Sequence, residues 1–360
     1  RVTEGKRKLP ASAKVGTKVG RGGHFQCLLS ATAIPVDYIR DQGKAKRIGQ
    51  RLMAVVVEGP RGRIYLSPTD HDEKTAALAK PTWGPDVAIN HNPRDIRTQL
   101  YGLMEYKDLF TPRQLVALTT ISDLVGDVRD RVRTDAMQAG MPDDGRGLDA
   151  GGTSATAYAE AVAIYLAFAA SRALDYGSSL ATWRPKDNAM RSGMSKQAIP
   201  MTWDFAEGNP FGGSSSGLRE CAEVVARVVS LALAPKVAAP GHAVQRDAAG
   251  AFPAEWRKSP VISTDPPYYD NIGYADLSDF FYVFLRRLLR GQHPDLFATL
   301  AVPKAEELVA TPYRHGGKKE AEEFFLHGMT DAMHSIAVSA HPAFPTTIYY
   351  AVDFHPELSQ

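Results

Sequence analysis

The chain has 360 residues, 44% hydrophobic and 23% charged, with a formal net charge of +2. Two cysteines, Cys27 and Cys221, exclude a disulfide framework and a four-thiolate zinc site within it. No apolar run approaches the roughly eighteen residues of a membrane span, and no signal peptide is expected. The length fits two or three domains, and the cysteine usage makes a reducing cytoplasm the expected compartment. Residue 1 is Arg rather than Met, so the chain is expected to be processed or to be a piece of a longer protein.

Residues 1–64 carry fourteen Lys/Arg against four acids, leaving 28 of the 42 basic and 36 of the 40 acidic residues to the remainder. Such a block fits phosphate contacts, with Lys6, Arg7, Lys8, Arg21, Lys44, Lys46 and Arg47 as the candidate nucleic-acid residues. The alternative is a solvated lead-in. Residues 1–24 read as a basic, Gly-rich arm. "LMAVVVEG" (52–59) and "GRIYLSP" (62–68) then form strands joined by the Gly59–Gly62 turn. Residues 69–100, rich in Pro, Asn and His, read as a surface loop.

The spacing predicts a helix over 109–132, with Thr111 as N-cap, Pro112 in the first turn and Gln114 completing a capping box. Leu115, Leu118, Ile121, Val125 and Val128 share one of its faces. A loop (140–154) leads to a second helix (155–177), apolar nearly all round and therefore expected to be buried. Residues 178–200 show no pattern. From 201 onward the pattern becomes α/β: a loop (206–217), a helix (218–234), strands at 242–248 and 260–264, helices at 276–290 and 318–340, and a late strand (346–354). Phe280, Phe281, Tyr282 and Phe284 are expected in the core. Arg286, Arg287 and Arg290 complement the helix macrodipole, and a DNA-backbone role for them stays open. His327, Asp331 and His334 share a helix face, which reads as solvated rather than as a metal site.

The chemistry concentrates in "VISTDPPYYDNIGYADLSDFFYVFLRRLLRG" (261–291). Asp265 ends a strand, where ligands bind in open α/β sheets. Neither Pro266 nor Pro267 has a backbone N–H, so this wall offers acceptors only: the Asp265 carboxylate and nearby carbonyls. It suits an exocyclic amino group, which has two donors to place. Holding both hydrogens pyramidalises the nitrogen and frees its lone pair for attack. Tyr268 offers a face on which an extruded base can stack, worth roughly 1–3 kcal/mol.

"TDPPYYDN" after a hydrophobic strand resembles the catalytic motif of S-adenosylmethionine-dependent amino-methyltransferases. More narrowly, "KAKRIGQRLMAVVVEGPRGRIYLSP", "YGLMEYKDLFTPRQLVALTTISDLV", "QAIPMTWDFAEGNPF" and "STDPPYYDNIGYADLSDFFYVFLRR" resemble a large family of adenine-specific DNA methylases, some with a zinc ribbon. The resemblance covers most of residues 20–355. It implies an S-adenosylmethionine cofactor, DNA as partner and substrate, and an α/β, Rossmann-like methyltransferase sheet. That sheet would be incomplete if the chain is a C-terminal fragment.

The catalytic residues it implies are Asp265, Pro266, Pro267 and Tyr268. It also implies that Asp247 and Ala248 touch the cofactor adenine, the alternative being a strand-end Asp that opens a turn. The family seats the methionine end of the cofactor on an Asp-Pro-Phe-x-Gly-x-Gly loop. Asn209, Phe211 and Gly213 echo it, the alternative being a helix-entry turn. Otherwise that seat is expected from the upstream part of the protein or from a partner subunit. No metal is expected, since the zinc-ribbon region holds Cys27 alone.

The expected organisation is a basic arm with a small β-containing region (1–104), a helical region (105–200) and the Rossmann-like catalytic region (201–360). Rival readings are methylation of cytosine N4, RNA guanine N2 or a protein glutamine amide, and a non-catalytic nucleic-acid-binding module.

Overall fold

Capping chemistry sets the longest helix of the chain. In the computed structural model, α3 (Pro112–Gln138) starts at Thr111, whose hydroxyl accepts the Gln114 N–H at 3.3 Å while the Gln114 carbonyl accepts the Thr111 N–H at 2.8 Å. Both side chains are buried, so the reciprocal pair satisfies two N–H groups that water does not reach. The structure describes residues 16–20, 23–213, 215–233, 241, 243–250, 252, 260–270 and 272–350. Lys6, Arg7, Lys8 and Arg21, part of the 242–248 segment and the end of the late strand lie outside them.

The elements before α3 are short. Among the described residues they are β1 (Phe25–Gln26), β2 (Ala33–Ile34), α1 (Val36–Lys44), β3 (Val55–Gly59), β4 (Gly62–Leu66), α2 (Asp70–Ala77) and two 3-10 turns (Thr98–Tyr101 and Tyr106–Leu109). β3 and β4 pair antiparallel around the expected turn, with Gly59 opposite Gly62. Gly62 adopts φ 125°, which a side chain rarely tolerates. The expected loop at 69–100 instead opens with α2, where Thr69 and Asp72 form a second capping box.

α4 (Ala155–Tyr176) packs on α3. Its buried residues are eight alanines and Leu174, small side chains that let neighbouring helices approach closely. Ala169 and Ala173 cluster with Cys221, Ala222 and Val225 of α5 (Leu218–Leu233). Ala167 clusters with Leu289 and Phe297. These neighbours cover part of its apolar surface, but Tyr158, Tyr165 and Phe168 are exposed, so the expected burial is met on part of the helix only. By length and composition α4 could also cross a membrane. A hairpin of β5 (Thr182–Arg184) and β6 (Ala189–Arg191) fills the stretch that shows no sequence pattern.

α6 (Tyr274–Leu289) buries Phe280 and Phe284. Phe280 stacks on Phe110 at 5.7 Å between ring centroids, and Phe284 meets the same ring edge-on at 5.2 Å. Arg287 lies over Trp83 and pairs with Asp123 at 2.6 Å, while Arg286 donates to the carbonyls of Phe297 and Thr299. These two cations are therefore spent within the fold.

The chain divides into two units. Arg1–Ala232 with Phe280–Leu300 form the first, and Leu233–Asp279 with Ala301–Gln360 form the second. The second holds β7 (Ser263–Thr264) and β8 (Thr347–Ile348), paired parallel, with α7 (Pro312–His315) and α8 (Lys318–Ser339) between them in sequence. A parallel pair requires a long crossover, which this stretch supplies. The expected strand at 242–248 does not form: residues 243–247 are irregular, and a turn begins at Ala248. Among the described residues every sheet has two strands, and only β7–β8 is parallel.

Candidate active site at Asp265–Tyr268

β7 delivers the motif. The amides of Thr347 and Tyr349 donate to the carbonyls of Ile262 and Thr264, pinning the strand immediately before Asp265. Past Asp265 the two prolines leave the backbone without donors. Tyr269 then turns the chain with φ 47°, a left-handed conformation that costs a non-glycine residue about 1 kcal/mol or more. Two contacts hold it there. Its carbonyl accepts the Ala310 N–H at 2.9 Å, and its ring meets Phe325 edge-on in the cluster of Ala310, Ala321 and Phe325.

Tyr268, just before that turn, leans back toward Asp265. Its hydroxyl donates to Oδ1 of the exposed Asp265 carboxylate at 2.6 Å, a length typical of a bond to a charged acceptor. The bond to the Asp265 carboxylate raises the Tyr268 phenol above its ordinary pKa. The Tyr268 ring meets Tyr350 edge-on, with centroids 5.5 Å apart. Asp265, both prolines, Tyr268, Tyr269, Ile272, Tyr274 and Val309 together line a hollow of about 280 Å³. That is near the lower end of ligand clefts, roughly 300–1,000 Å³. It combines one carboxylate, donor-free backbone and tyrosine rings, a composition suited to a flat group that carries N–H donors.

Behind the hollow lies a charge network that sequence reasoning missed. Asp276 and Asp279, in the first turns of α6, are 1% and 0% exposed. Arg314 bridges Asp276 at 2.9 Å and Glu307 at 2.6 Å, and the Tyr313 hydroxyl also donates to Asp276. Glu307 in turn accepts the Ala275 N–H. Lys304 pairs with Asp279 at 2.7 Å, and the Val302 N–H donates to the same carboxylate. Burial pushes the Asp279 carboxyl up, against the pull of Lys304 and Val302. Burial works against the Arg314 charge, but Glu307 and Asp276 outweigh it and raise its pKa. The partners stand about thirty residues apart in sequence, and the one local signal was two acids spaced i, i+3 on a helix otherwise aromatic.

The remaining expected residues lie elsewhere. Asp247 opens a turn: its carboxylate accepts the Ala249 N–H and its carbonyl the Gly250 N–H, with Ala248 inside the turn. This is the turn-forming alternative, here on irregular backbone instead of a strand end. Asp247 lines a second hollow of the same unit, about 750 Å³, with Phe252 and with His334 and Ser335 of α8. Asn209, Phe211 and Gly213 belong to the first unit. The Asn209 side chain accepts the Phe211 N–H, the Gly212 N–H returns to the Asn209 carbonyl, and Phe211 is 94% exposed. They form a closed turn leading into α5.

Of the candidate DNA contacts, Lys44 ends α1. Lys46 is tied down, donating to the Gly102 carbonyl at 2.6 Å and lying 3.4 Å from Asp108. Arg47 donates to Gln42. Among the described residues no group of three His, Cys, Asp or Glu side chains is arranged to hold a metal ion. No family model, curated protein or solved structure matches this chain.

Proposed function

We propose that the chain takes part in S-adenosylmethionine-dependent methyl transfer to an exocyclic amino group of a flipped base, adenine N6 in DNA. The observation that carries this reading is the Asp265 carboxylate beside Pro266 and Pro267, which have no backbone N–H, at the end of a strand in parallel pairing and on a tyrosine-lined hollow. The free Asp265 oxygen and the Pro266 carbonyl accept the two amino hydrogens, while Tyr268 and Tyr274 supply flat faces. Catalysis then rests on positioning and on charge stabilisation, with no covalent intermediate on the protein.

Around Asp247, a hollow of about 750 Å³ offers the adenosine end of the cofactor the second oxygen of a carboxylate whose first is held by the Ala249 N–H, beside the Phe252 ring, over which Arg246 lies. When bound, the cofactor supplies the electrophilic methyl group. Asn209, Phe211 and Gly213 do not fit the methionine end, because the Asn209 side chain is taken up within its own turn and Phe211 points into solvent. Among the described residues that end finds no comparable seat. A second reading rests on this observation, a nucleic-acid-binding module that acts with a cofactor-binding part supplied by the rest of the protein or by a partner. Lys44 and Arg47 remain candidate phosphate contacts in both readings, and Lys46 can contribute only by leaving Asp108.

The test incubates the purified chain with labelled S-adenosylmethionine and unmodified DNA, followed by mass spectrometry of the nucleosides. N6-methyladenine that disappears in Asp265→Ala, with the fold unchanged, supports the reading. Near-normal turnover by Asp265→Ala overturns the catalytic assignment. Methylation of cytosine N4, RNA guanine or glutamine would redirect it.

A further inference from the structure

The Asp265 carboxylate is exposed at the end of a two-residue strand, so nothing in its own backbone fixes its rotamer. Tyr268 does so from three positions along the chain. Its hydroxyl donates to Oδ1 at 2.6 Å, and its ring meets Tyr350 edge-on. A carboxylate has about four lone-pair sites, and the phenol takes one of them on Oδ1. Oδ2 is left for a substrate.

We infer that the Tyr268 hydroxyl is a positioning group, which orients the Asp265 carboxylate so that Oδ2 faces the hollow as an acceptor for the substrate. This rests on the methyltransferase reading and adds to it. Stacking needs only the ring of residue 268, whereas orientation of Asp265 needs the oxygen on that ring. The two roles separate in two substitutions. Tyr268→Phe keeps the face and loses the hydroxyl, and Tyr268→Ala loses both. Accepting a hydrogen bond also draws charge from the carboxylate, which alone would make Tyr268→Phe faster. For an exposed, freely rotating carboxylate the loss of orientation outweighs this, so the variant is slower.

Two measurements on the full chain decide the matter. In the first, tyrosines labelled with carbon-13 at the oxygen-bearing ring carbon are titrated by NMR, with the Tyr268 signal identified by its loss in Tyr268→Phe. Asp265 and Tyr274 are the charged or titratable groups acting on this phenol. Removing the Asp265 charge in Asp265→Asn should move the titration to lower pH, and coincident curves would overturn the phenol–carboxylate bond. In the second, Tyr268→Phe should lower kcat about tenfold with KM for DNA changed less than about twofold. Tyr268→Ala should raise KM as well. A Tyr268→Phe kcat equal to or above that of the wild type overturns the positioning role. If the wild type transfers no methyl group, the reading of this chain as a self-sufficient methyltransferase fails, and the titration still decides whether Tyr268 holds Asp265.

Discussion

The two units reach order by different physics. In the first, α3 and α4 meet through alanines and leucines, and a capping box starts α3. In the second, the strands are two residues long, and the start of α6, where Ala275 and Leu277 are buried, is tied by the charges of Asp276, Glu307, Arg314, Asp279 and Lys304. Apolar packing tolerates small errors, because each contact is weak and non-directional. A buried charge network does not: it is satisfied as a whole or strongly destabilising. The candidate site is thus built on the less forgiving of the two foundations.

Breaking that contrast should be easiest at Arg314. Arg314→Met leaves Asp276 and Glu307 without their cation and should cost about 3 kcal/mol or more. Hydrogen exchange should show the loss over residues 274–279 and 301–339 and leave 112–176 protected. In the first unit, Leu174→Ala removes a fully buried side chain and should cost about 2–4 kcal/mol in denaturant unfolding. Thr111→Ala removes half of the capping box and should cost about 1 kcal/mol, read the same way.

Acid sharpens the comparison, because the two units should respond with opposite sign. In the first, the Thr156 hydroxyl and then Arg133 hold the Asp143 carboxyl well below the usual carboxylate range. It therefore stabilises the fold above its unfolded pKa of about 4, and that contribution is lost as pH falls further. In the second, burial holds the Asp279 carboxyl above its unfolded value. Its ionisation opposes folding at neutral pH, and this cost is relieved as pH falls through the folded pKa. Asp143→Asn should flatten the acid limb of the first unit's stability curve, and Asp279→Asn should change that of the second in the other direction. The smallest effect belongs to the exposed Arg219–Glu223 pair, where Arg219→Ala should stay within about 0.5 kcal/mol.

What could be read from the sequence was local. The Thr111–Gln114 box, the Gly59–Gly62 turn and the helices at 155, 218, 276 and 318 all depend on neighbours within a few residues, and each has its counterpart in the structure. α2 carried the same kind of signal, Thr69 three residues before Asp72, obscured by the Pro and Asn that follow it. The expected strand at 242–248 rested on alternation alone, and residues 243–247 are irregular instead. The motif was legible as far as Asp265–Tyr268 lining one hollow. The left-handed Tyr269 and the charge network were not, since they depend on Ala310, Phe325 and Arg314, and the Tyr268–Asp265 bond was not, since residue types alone do not set its side-chain geometry.

The Asp265–Pro266 linkage has a consequence of its own. It is the one Asp–Pro bond in the sequence, and its side chain is open to solvent. An Asp carboxyl can attack its own main-chain carbonyl, and proline nitrogen, more basic than an ordinary amide nitrogen, leaves readily once protonated. Dilute warm acid should therefore cut the polypeptide between residues 265 and 266. The residue combination that denies a substrate any backbone donor is also the chain's weakest covalent seam. Fragment masses after such treatment would locate it without any assay of activity.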